Sequence, residues 1–446
     1  MNTSTDAPTI TAAIPWRIAI VGAGPVGLSL ALLLARRCPW LDITLWDARA
    51  WDQPIRHDPR TLALALGSIT TLQSLGIWDT CTKSQLTQAI THIHVSQAST
   101  ARLPSAKPTQ PEVHIRASDV NVPQLGAVVK YGHLLDSLQQ AWAQQQAQAP
   151  ERLHNCYGQA VKAIHHTLQD RTNKAIVETD QSQAIYDLAI VAEGGVFQTQ
   201  MNRGISTPQA RTPLHHSYDQ TAWVGTVTLT GMEPGLAIER FTPEGPLALL
   251  PLPPSLAPSY AINGPGVLLQ GDSRQEAAMV WCVNSTQDRI NTLSDAERMQ
   301  AINALLPQPA GQVIAISPLK SFALGLKVEP RLVDSGCIIR IGNAAQTLHP
   351  VAGQGLKLGL RDAQFLAHQL RLAYHRGYSL QKTLCQFQLQ REPDRWGLIA
   401  ITDFLARSFT WQFQGTTLVR GLALEALEHA PIVKRWIAHK FMWGTG

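Results

Sequence analysis

A glycine-rich turn between a short apolar strand and an apolar helix most constrains how this chain can fold. The turn reads Gly22-Ala-Gly-Pro-Val-Gly27; it follows the β-branched run Arg17–Val21 and leads into Pro25–Arg37, whose apolar spacing predicts a buried helix. Side chains in such a turn would keep backbone N–H groups and a helix N-terminus away from a pyrophosphate. We therefore predict that Gly22, Gly24 and Gly27 bind a dinucleotide.

A second strand and an acidic residue extend this pattern. Ile43–Trp46 follows the helix, so the order is that of a βαβ unit in a parallel sheet. Asp47 stands at the end of the second strand, where an acid bonds the ribose hydroxyls of an adenosine. The alternative is a close-packed glycine turn with a surface aspartate. By itself the motif does not separate NAD from FAD.

Composition and charge exclude several functional classes. Hydrophobic residues make up 45% and charged residues 15% of the chain, as in a large, well-buried enzyme. The formal charge of +5 is spread out, without a dense Lys/Arg run carrying interleaved aromatics, so no nucleic acid partner is expected. The six scattered cysteines lack a CxxC motif and predict reduced, mostly buried thiols, which favours a cytoplasmic protein.

No metal site and no membrane span are expected. The pairs His165-His166 and His215-His216 have no carboxylate or third ligand at metal spacing, so we interpret them as surface or loop histidines. No run reaches the roughly 20 apolar residues that a spanning helix needs, so membrane contact would be peripheral.

A second loop indicates which dinucleotide is bound. Ile341–Gly359 reads as a strand, a turn of small residues and a glycine-rich helix start. The turn around Gly342 lets the chain of a flat ligand pass, and Asn343 is placed to bond ribityl hydroxyls. Amides from Gly353 to Gly355, at a helix N-terminus, are placed to stabilise negative charge on the N1–C2=O edge of a reduced flavin.

Together these motifs resemble the class A flavoprotein monooxygenases, and within them the ubiquinone-biosynthesis hydroxylases of the 2-polyprenyl-6-methoxyphenol hydroxylase branch. The resemblance covers nearly the whole chain. Besides the glycine turn, it rests on Asp58–Leu64, Leu125–Val129, Glu239–Pro251, Val280–Cys282, Gly342–Pro350 followed by Ala352–Gly355, Gln390–Arg395 and Thr402-Asp403.

The resemblance implies an FAD-dependent enzyme that takes electrons from NAD(P)H and uses O2. A C4a-hydroperoxyflavin would hydroxylate the ring of a polyprenylated phenol in ubiquinone biosynthesis, next to other proteins of that pathway. One alternative is a hydroxylase of another phenolic metabolite. Another is a non-catalytic, flavin-binding scaffold of a quinone-biosynthesis complex.

The resemblance also implies the site residues. Arg60 would lie near the pyrophosphate and isoalloxazine, and the Gly245-Pro246 strand would wall the substrate pocket. The expected cofactor-binding residues are Gly22, Gly24, Gly27, Asp47, Arg60, Glu193, Gly342, Asn343, Gly353, Gln354, Gly355, Leu356 and Lys357. The expected catalytic loop at the flavin edge comprises His349, Pro350, Gly353 and Gln354; His349 is either a proton relay or a structural histidine that holds the turn.

Three departures from the family pattern concern the flavin site. Glu193 stands where the family has Asp, and Phe197 replaces the Ser that often follows. Lys357 occupies a position that is usually Asn, and Lys130-Tyr131 stand where many relatives have Glu-Asn. A lysine near the flavin would favour the anionic reduced form; alternatively Lys357 points to solvent or closes a salt bridge.

The expected architecture is α/β. A Rossmann-like FAD-binding domain with a parallel sheet would comprise 15–90, 112–205 and 330–385. It would be interleaved with an α+β substrate domain on a mostly antiparallel sheet, 91–111 and 206–329, and followed by C-terminal helices, 386–446. The segment Leu418–Trp443 either lies peripherally on the inner face of a membrane or packs on the FAD-binding domain.

Overall fold

The structure is a computed structural model that describes residues 16–58, 60–98, 111–194, 212–253, 274–350, 354–408 and 424–444. Its α-helices are α1 (Pro25–Arg37), α2 (Leu66–Ser74), α3 (Ile77–Lys83), α4 (Tyr131–Gln148), α5 (Asp295–Leu305), α6 (Gln354–Arg376), α7 (Leu380–Ser408) and α8 (Pro431–Trp443). Its strands are β1 (Arg17–Val21), β2 (Asp42–Asp47), β3 (Thr61–Ala65), β4 (Thr87–Ile90), β5 (His92–Gln97), β6 (Glu112–Arg116), β7 (Gly126–Lys130), β8 (Leu153–Tyr157), β9 (Val161–Gln169), β10 (Thr172–Thr179), β11 (Gln183–Tyr186), β12 (Leu188–Val191), β13 (Leu214–Thr230), β14 (Leu236–Phe241), β15 (Pro246–Pro251), β16 (Arg274–Asn284), β17 (Gln312–Ile316), β18 (Lys320–Val328), β19 (Val333–Asp334), β20 (Ile338–Arg340) and β21 (Gln346–Thr347).

The first sheet has the predicted parallel core. Its order is β19-β20-β12-β1-β2-β8, and all neighbours except β19 and β20 run parallel. Strand β1 is buried from Ile18 to Val21 because helices cover one face and a three-stranded sheet, β11-β10-β9, contributes to the core on the other. The Rossmann-like prediction is confirmed, and the sheet is assembled from segments far apart in sequence.

The second sheet has nine strands and is mostly antiparallel. Its order is β21-β18-β13-β16-β15-β14-β5-β6, with β17 pairing the 17-residue strand β13. The exception is β14, which pairs in parallel with β5. Its core includes Val227, Leu247 and Met279, packed with α5 and β17. The predicted α+β unit on an antiparallel sheet is thus confirmed, and β5 and β6 supply its far edge.

One stretch of chain connects the two sheets. Strand β20 ends in the parallel sheet at Arg340, a turn follows at Gly342–Ala344, and β21 then pairs with β18 in the nine-stranded sheet. Six residues separate β21 from α6, which packs on α1. The crossing places the turn at Gly342–Ala344 between β20 of the parallel sheet and β21 of the nine-stranded sheet.

Helix α8 packs along one face only. Ala438 and Met442 are buried against Ala117 and Leu125, whereas Ile432 and Trp436 on the other face are 79% and 62% exposed. Of the segment Leu418–Trp443, residues 418–423 lie outside the described part. Among the described helices, none combines the length and the apolar character needed to cross a bilayer.

Candidate flavin site

The glycine turn is built from backbone packed at van der Waals distance. Gly22 has φ of +106°, a conformation that favours glycine, and its N–H donates to the carbonyl of Trp46. A Cβ on Gly27 would lie 1.8 Å from the Gly22 oxygen, so only glycine fits at this position in the first turn of α1. A Cβ on Gly24 would instead meet nothing closer than the Tyr131 hydroxyl at 4.0 Å. Gly22 and Gly27 therefore shape the turn, whereas Gly24 faces open space.

Asp47 lies beside this turn at the end of β2, as predicted. Its carboxylate accepts the Ala23 N–H at 2.7 Å and is 8% exposed. Arg49 clamps the same carboxylate through Nε and Nη2, each at 2.9 Å, and its Nη2 also donates to the Ala23 carbonyl. Sequence reasoning missed Arg49. Its position two residues after the strand-end acid was the available signal.

Glu193 joins the same place from a third strand. It follows β12, and its backbone nitrogen is 2.8 Å from the position of a Cβ on Gly22. Burial, and secondarily the charge of Asp47, raises the pKa of Glu193 to about 7. The carboxyl ends of β1, β2 and β12 thus bring Gly22, Asp47 and Glu193 together, where ligands bind to open α/β sheets.

Arg60 lies at the mouth of the turn and is largely exposed. Its Nη2 pairs with Asp58 at 2.7 Å, and its guanidinium lies 4.0 Å from the centre of the Tyr131 ring. The Tyr131 hydroxyl is the atom nearest to the position of a Cβ on Gly24. Arg60 and Tyr131 therefore border the open side of the glycine turn. Tyr131 was noted in the sequence only as a departure from the family pattern.

The second predicted element, at the flavin edge, begins with a tight turn. Gly342 has φ of +60°, and the Ala345 N–H donates back to its carbonyl at 3.0 Å. The Oδ1 of Asn343 lies 3.5 Å from the position of a Cβ on Gly355, so the turn and the start of α6 are adjacent. Leu356 and Lys357 continue that helix. Gly353 and the side chain of Gln354 lie outside the described residues.

Buried charged side chains from distant helices hold this turn. The fully buried Arg395 donates from Nε to Gln346 Oε1 at 2.7 Å and from Nη2 to the carbonyls of Ala345 and Glu329. Asp362, 0% exposed, accepts a hydrogen bond from the Gly342 backbone and pairs with Arg391 at 2.9 Å. The motif Gln390–Arg395 contained Arg391 and Arg395, but nothing in it indicated that Arg395 supports the turn.

His349 is buried and contacts a residue of strand β13 in the nine-stranded sheet. Its Nε2 lies 2.8 Å from Gln220 Oε1, and the ring packs edge-on against Tyr218. Burial lowers the pKa of His349 to about 3, so the imidazole is neutral in the physiological range. These contacts favour the structural interpretation over a proton relay.

Lys357 is buried rather than directed to solvent. It is 3% exposed, and its Nζ lies 5.4 Å from the centre of the Phe441 ring of α8. Burial, together with the charge of Arg361, lowers the pKa of Lys357 to about 7. The side chain therefore connects the start of α6 with the C-terminal helix.

A small cavity opens between the nine-stranded sheet and the flavin-edge loop. Its lining residues come from β14, β15, β16 and that loop: Glu239, Pro246, Ala248, Val280, Cys282 and Pro350. Glu239, Ala248 and Val280 form one cross-strand row, so their side chains share a face of the sheet. Oε1 of Glu239 is buried without a hydrogen-bond partner among the described residues. Burial raises the pKa of Glu239 to about 7.

These residues fit FAD. The space in front of Gly24 is open, amides at the start of α1 carry no side-chain cap, and Asp47 stands at the second strand end. The small-residue turn at Gly342 and the start of α6 provide a second, narrow binding segment. When bound, FAD supplies the redox chemistry, for which the described side chains offer no substitute.

Comparisons with known proteins also indicate an FAD-binding protein. Residues 16–203 match the family described as FAD binding domain. The chain is 27% identical to a ubiquinone hydroxylase of Rhodospirillum rubrum, over 94% of this chain and 87% of the relative. It is 26% identical to the 3-demethoxyubiquinol 3-hydroxylase of Escherichia coli, over 94% and 97%. The crystal structure of p-nitrophenol 4-monooxygenase from Pseudomonas putida superposes with a TM-score of 0.67 at 15% identity, covering 97% of this chain and 99% of that one.

The chain thus carries an FAD-binding domain over residues 16–203. It is similar over nearly its full length to the ubiquinone-biosynthesis hydroxylases, so the resemblance noted in the sequence is confirmed.

Proposed function

We propose that this enzyme hydroxylates the aromatic ring of a polyprenylated phenol in ubiquinone biosynthesis, with NAD(P)H as electron donor and O2 as oxygen source. Two of the relatives are ubiquinone-pathway hydroxylases by name, and both align over more than nine-tenths of this chain. The observation that carries the proposal is the buried Oε1 of Glu239, which lies among apolar side chains beside the flavin-edge loop.

The cavity has a volume of about 10 Å³, room for one water molecule, so a phenol ring would enter only where its lining moves apart. Pro246, Ala248 and Pro350 would then offer the ring apolar contacts. Gly245, with φ of +153°, packs against the backbone of Cys282 and lets β15 begin close to β16. A dry wall of this kind keeps water from the oxygen that FAD activates when bound.

Glu239 would act on the phenol hydroxyl. Its unpaired Oε1 accepts the phenol proton, so the O–H bond breaks, a carboxyl O–H forms and the electron pair stays on the phenol oxygen. The phenolate makes the ring more electron-rich, and the proton returns after hydroxylation. A carboxyl whose pKa is raised to about 7 is matched to this exchange near neutral pH.

The cofactor contacts follow from the site. Gly22, Gly24 and Gly27 with the start of α1 would bind the pyrophosphate, Asp47 held by Arg49 would bond the ribose, and Arg60 would border the phosphates. Asn343, Gly355, Leu356 and Lys357 with Gly353 and Gln354 would line the flavin. His349 would position Pro350 rather than move a proton.

The domain division also belongs to this proposal. Because β6 pairs with β5 in the nine-stranded sheet, we assign 91–116 with 206–329 to the substrate domain. The FAD-binding domain then comprises 15–90, 117–205 and 330–385, and 386–446 forms the C-terminal segment.

A peripheral membrane contact would bring the prenyl chain to the enzyme. On α8 the exposed apolar residues Ile432, Val433 and Trp436 lie among the cations Lys434, Arg435 and Lys440, the composition of an interfacial helix. Co-sedimentation with anionic vesicles should fall in Trp436→Ser but not in Leu168→Ser, whose leucine is 71% exposed on strand β9. Equal loss in both variants would argue against this helix as the contact.

The substrate assignment is tested with purified holoenzyme and two phenols that differ only in the tail. A short-tailed prenylated methoxyphenol should stimulate NAD(P)H oxidation and yield a hydroxylated product, whereas the tail-free phenol should react poorly. Preference for the tail-free phenol would indicate another phenolic metabolite as substrate.

The role of Glu239 is tested by Glu239→Gln. We expect kcat to fall about a hundredfold and its pH dependence near neutrality to disappear, with FAD content unchanged. Glu244→Gln, in the exposed turn between β14 and β15, is the matched control. Wild-type turnover in Glu239→Gln would remove the carboxyl from the mechanism.

A further inference from the structure

Imidazole and carboxylate groups cluster at the far edge of the nine-stranded sheet, away from the flavin site. In the β5–β6 ladder His94 lies directly opposite His114, and Ser96 lies opposite Glu112. Because strand side chains alternate between faces, His92, His94, Glu112 and His114 share one face. In β14, Ile238 is the register partner of His94, so this is the face opposite Glu239.

The distances within this cluster suit a metal ion. Nε2 of His94 lies 3.0 Å from Oε2 of Glu112, and Nε2 of His114 lies 3.4 Å from Oε1 of the same carboxylate. One ligand atom from each residue lies within 4.8 Å of the others. Ligands about 2.0–2.1 Å from a tetrahedral Zn²⁺ are separated from one another by roughly 3.3 Å. The three side chains need only small movements to surround an ion.

A second layer of polar groups orients these ligands. Nδ1 of His114 lies 2.9 Å from Nε2 of His92, and in the tautomer in which Nδ1 of His114 is the donor, Nε2 of His114 is free to bind an ion. Nδ1 of His92 in turn faces the carboxylate of Glu233 at 4.0 Å. A carboxylate–histidine relay behind a ligating imidazole is the arrangement that fixes tautomers in metal sites.

The cluster can also be reached from solvent. Glu112 is 46% exposed and leaves a path from solvent, whereas His94 is fully buried. Neutral imidazoles and a carboxylate are ligands for a divalent transition metal.

We propose that His94, Glu112 and His114 bind a divalent transition-metal ion, with Zn²⁺ preferred. The sequence predicted no metal site because His-x-His at 92–94 and Glu-x-His at 112–114 are separated by a long insertion, and only strand pairing joins them. The ion would link β6 to β5. It would also support the residues before α8, because the backbone N–H of His114 donates to the carboxylate of Glu428. It would thereby fix β5 beside the strand that carries Glu239.

The test is titration of tag-free, metal-stripped holoenzyme with Zn²⁺ by calorimetry, with bound metal counted by elemental analysis. We expect one Zn²⁺ per chain and a metal-dependent rise in Tm. Glu112→Gln and His114→Ala should each weaken binding at least about a hundredfold, and His92→Ala about tenfold. The matched control is His165→Ala, because His165 forms a single His–carboxylate pair with Glu178 at the same 3.0 Å.

Binding of Co²⁺ in place of Zn²⁺ tests whether the ligands are arranged tetrahedrally. Co²⁺ in the wild type should give the intense visible bands of a tetrahedral N/O site, and Glu112→Gln should lose them. FAD content and circular dichroism establish that each variant is folded; Glu112→Gln changes one exposed oxygen to nitrogen and should be folded. No Zn²⁺ bound to the wild type, or binding weakened equally by His165→Ala, would overturn the proposal.

Discussion

The glycine turn and the flavin-edge turn, which we propose bind two ends of one cofactor, are built differently. The glycine turn is local: Gly22 and Gly27 touch each other, and the acid that completes it ends the adjacent strand. The flavin-edge turn at Gly342 is held by Arg395 and Asp362, which come from separate helices. A local motif specifies its own shape, whereas the second turn depends on a buried charge network that must be complete.

The largest effect is expected from breaking the network under the flavin-edge turn. Arg395→Leu leaves the carbonyls of Ala345 and Glu329 and the amide of Gln346 buried without their donor. Loss of one member of such a network costs about 3–5 kcal/mol. Urea unfolding should show this loss, and FAD content should fall with it.

The surface ion pair of Lys162 with Asp180 provides the control. Lys162→Leu should change the free energy of unfolding by less than about 1 kcal/mol. Equal effects of the two variants would mean that Arg395 does not support the turn.

The next effect distinguishes two glycines of the local turn. Gly27→Ala places a Cβ against the Gly22 carbonyl and should destabilise even FAD-free protein, by about 1–3 kcal/mol. Gly24→Ala meets only open space and should leave FAD-free stability unchanged while weakening FAD binding about tenfold. Thermal unfolding and fluorescence titration with FAD separate the outcomes. If both variants lose stability alike, Gly24 does not face the ligand.

A smaller, pH-dependent effect is expected at Glu193. Its pKa, raised to about 7, means that the carboxyl ionises as pH rises through that value, next to Asp47 and the cofactor phosphates. FAD affinity should therefore fall, about threefold to tenfold between about pH 6 and pH 8. Glu193→Gln should bind FAD equally at both values. A pH-dependent affinity retained in Glu193→Gln would assign the titration to another group.

The smallest effect concerns Lys357. Its folded-state pKa is lowered to about 7, so keeping the ammonium buried destabilises the fold at and below that pH, and the penalty shrinks as pH rises towards the ordinary lysine range. Lys357→Met should therefore be more stable than wild type at about pH 6, by about 1 kcal/mol, with a declining advantage at higher pH. Lys382→Met, at an exposed position on α7, should show no such trend. A pH-independent difference would contradict a buried, titrating Lys357.

The same contrast explains what the sequence could predict. The βαβ unit, Asp47 and the interleaved sheets follow from periodicity and turn residues, which act over short stretches. Arg49 contacts Asp47 only two residues away and could have been predicted, whereas the positions of Tyr131 and Arg395 depend on contacts between distant segments. Glu239 lay inside one of the motifs, but only the alignment of β14, β15 and β16 shows that its Oε1 has no hydrogen-bond partner among the described residues. The histidine cluster likewise requires the β5–β6 register.

The most direct test of the account is turnover of the purified yellow holoenzyme with NAD(P)H and a short-tailed prenylated methoxyphenol under isotopically heavy dioxygen. We expect one heavy oxygen atom in each hydroxylated ring, with product formed in step with NAD(P)H consumed. Hydrogen peroxide without hydroxylated product, or oxygen incorporated from water, would contradict it.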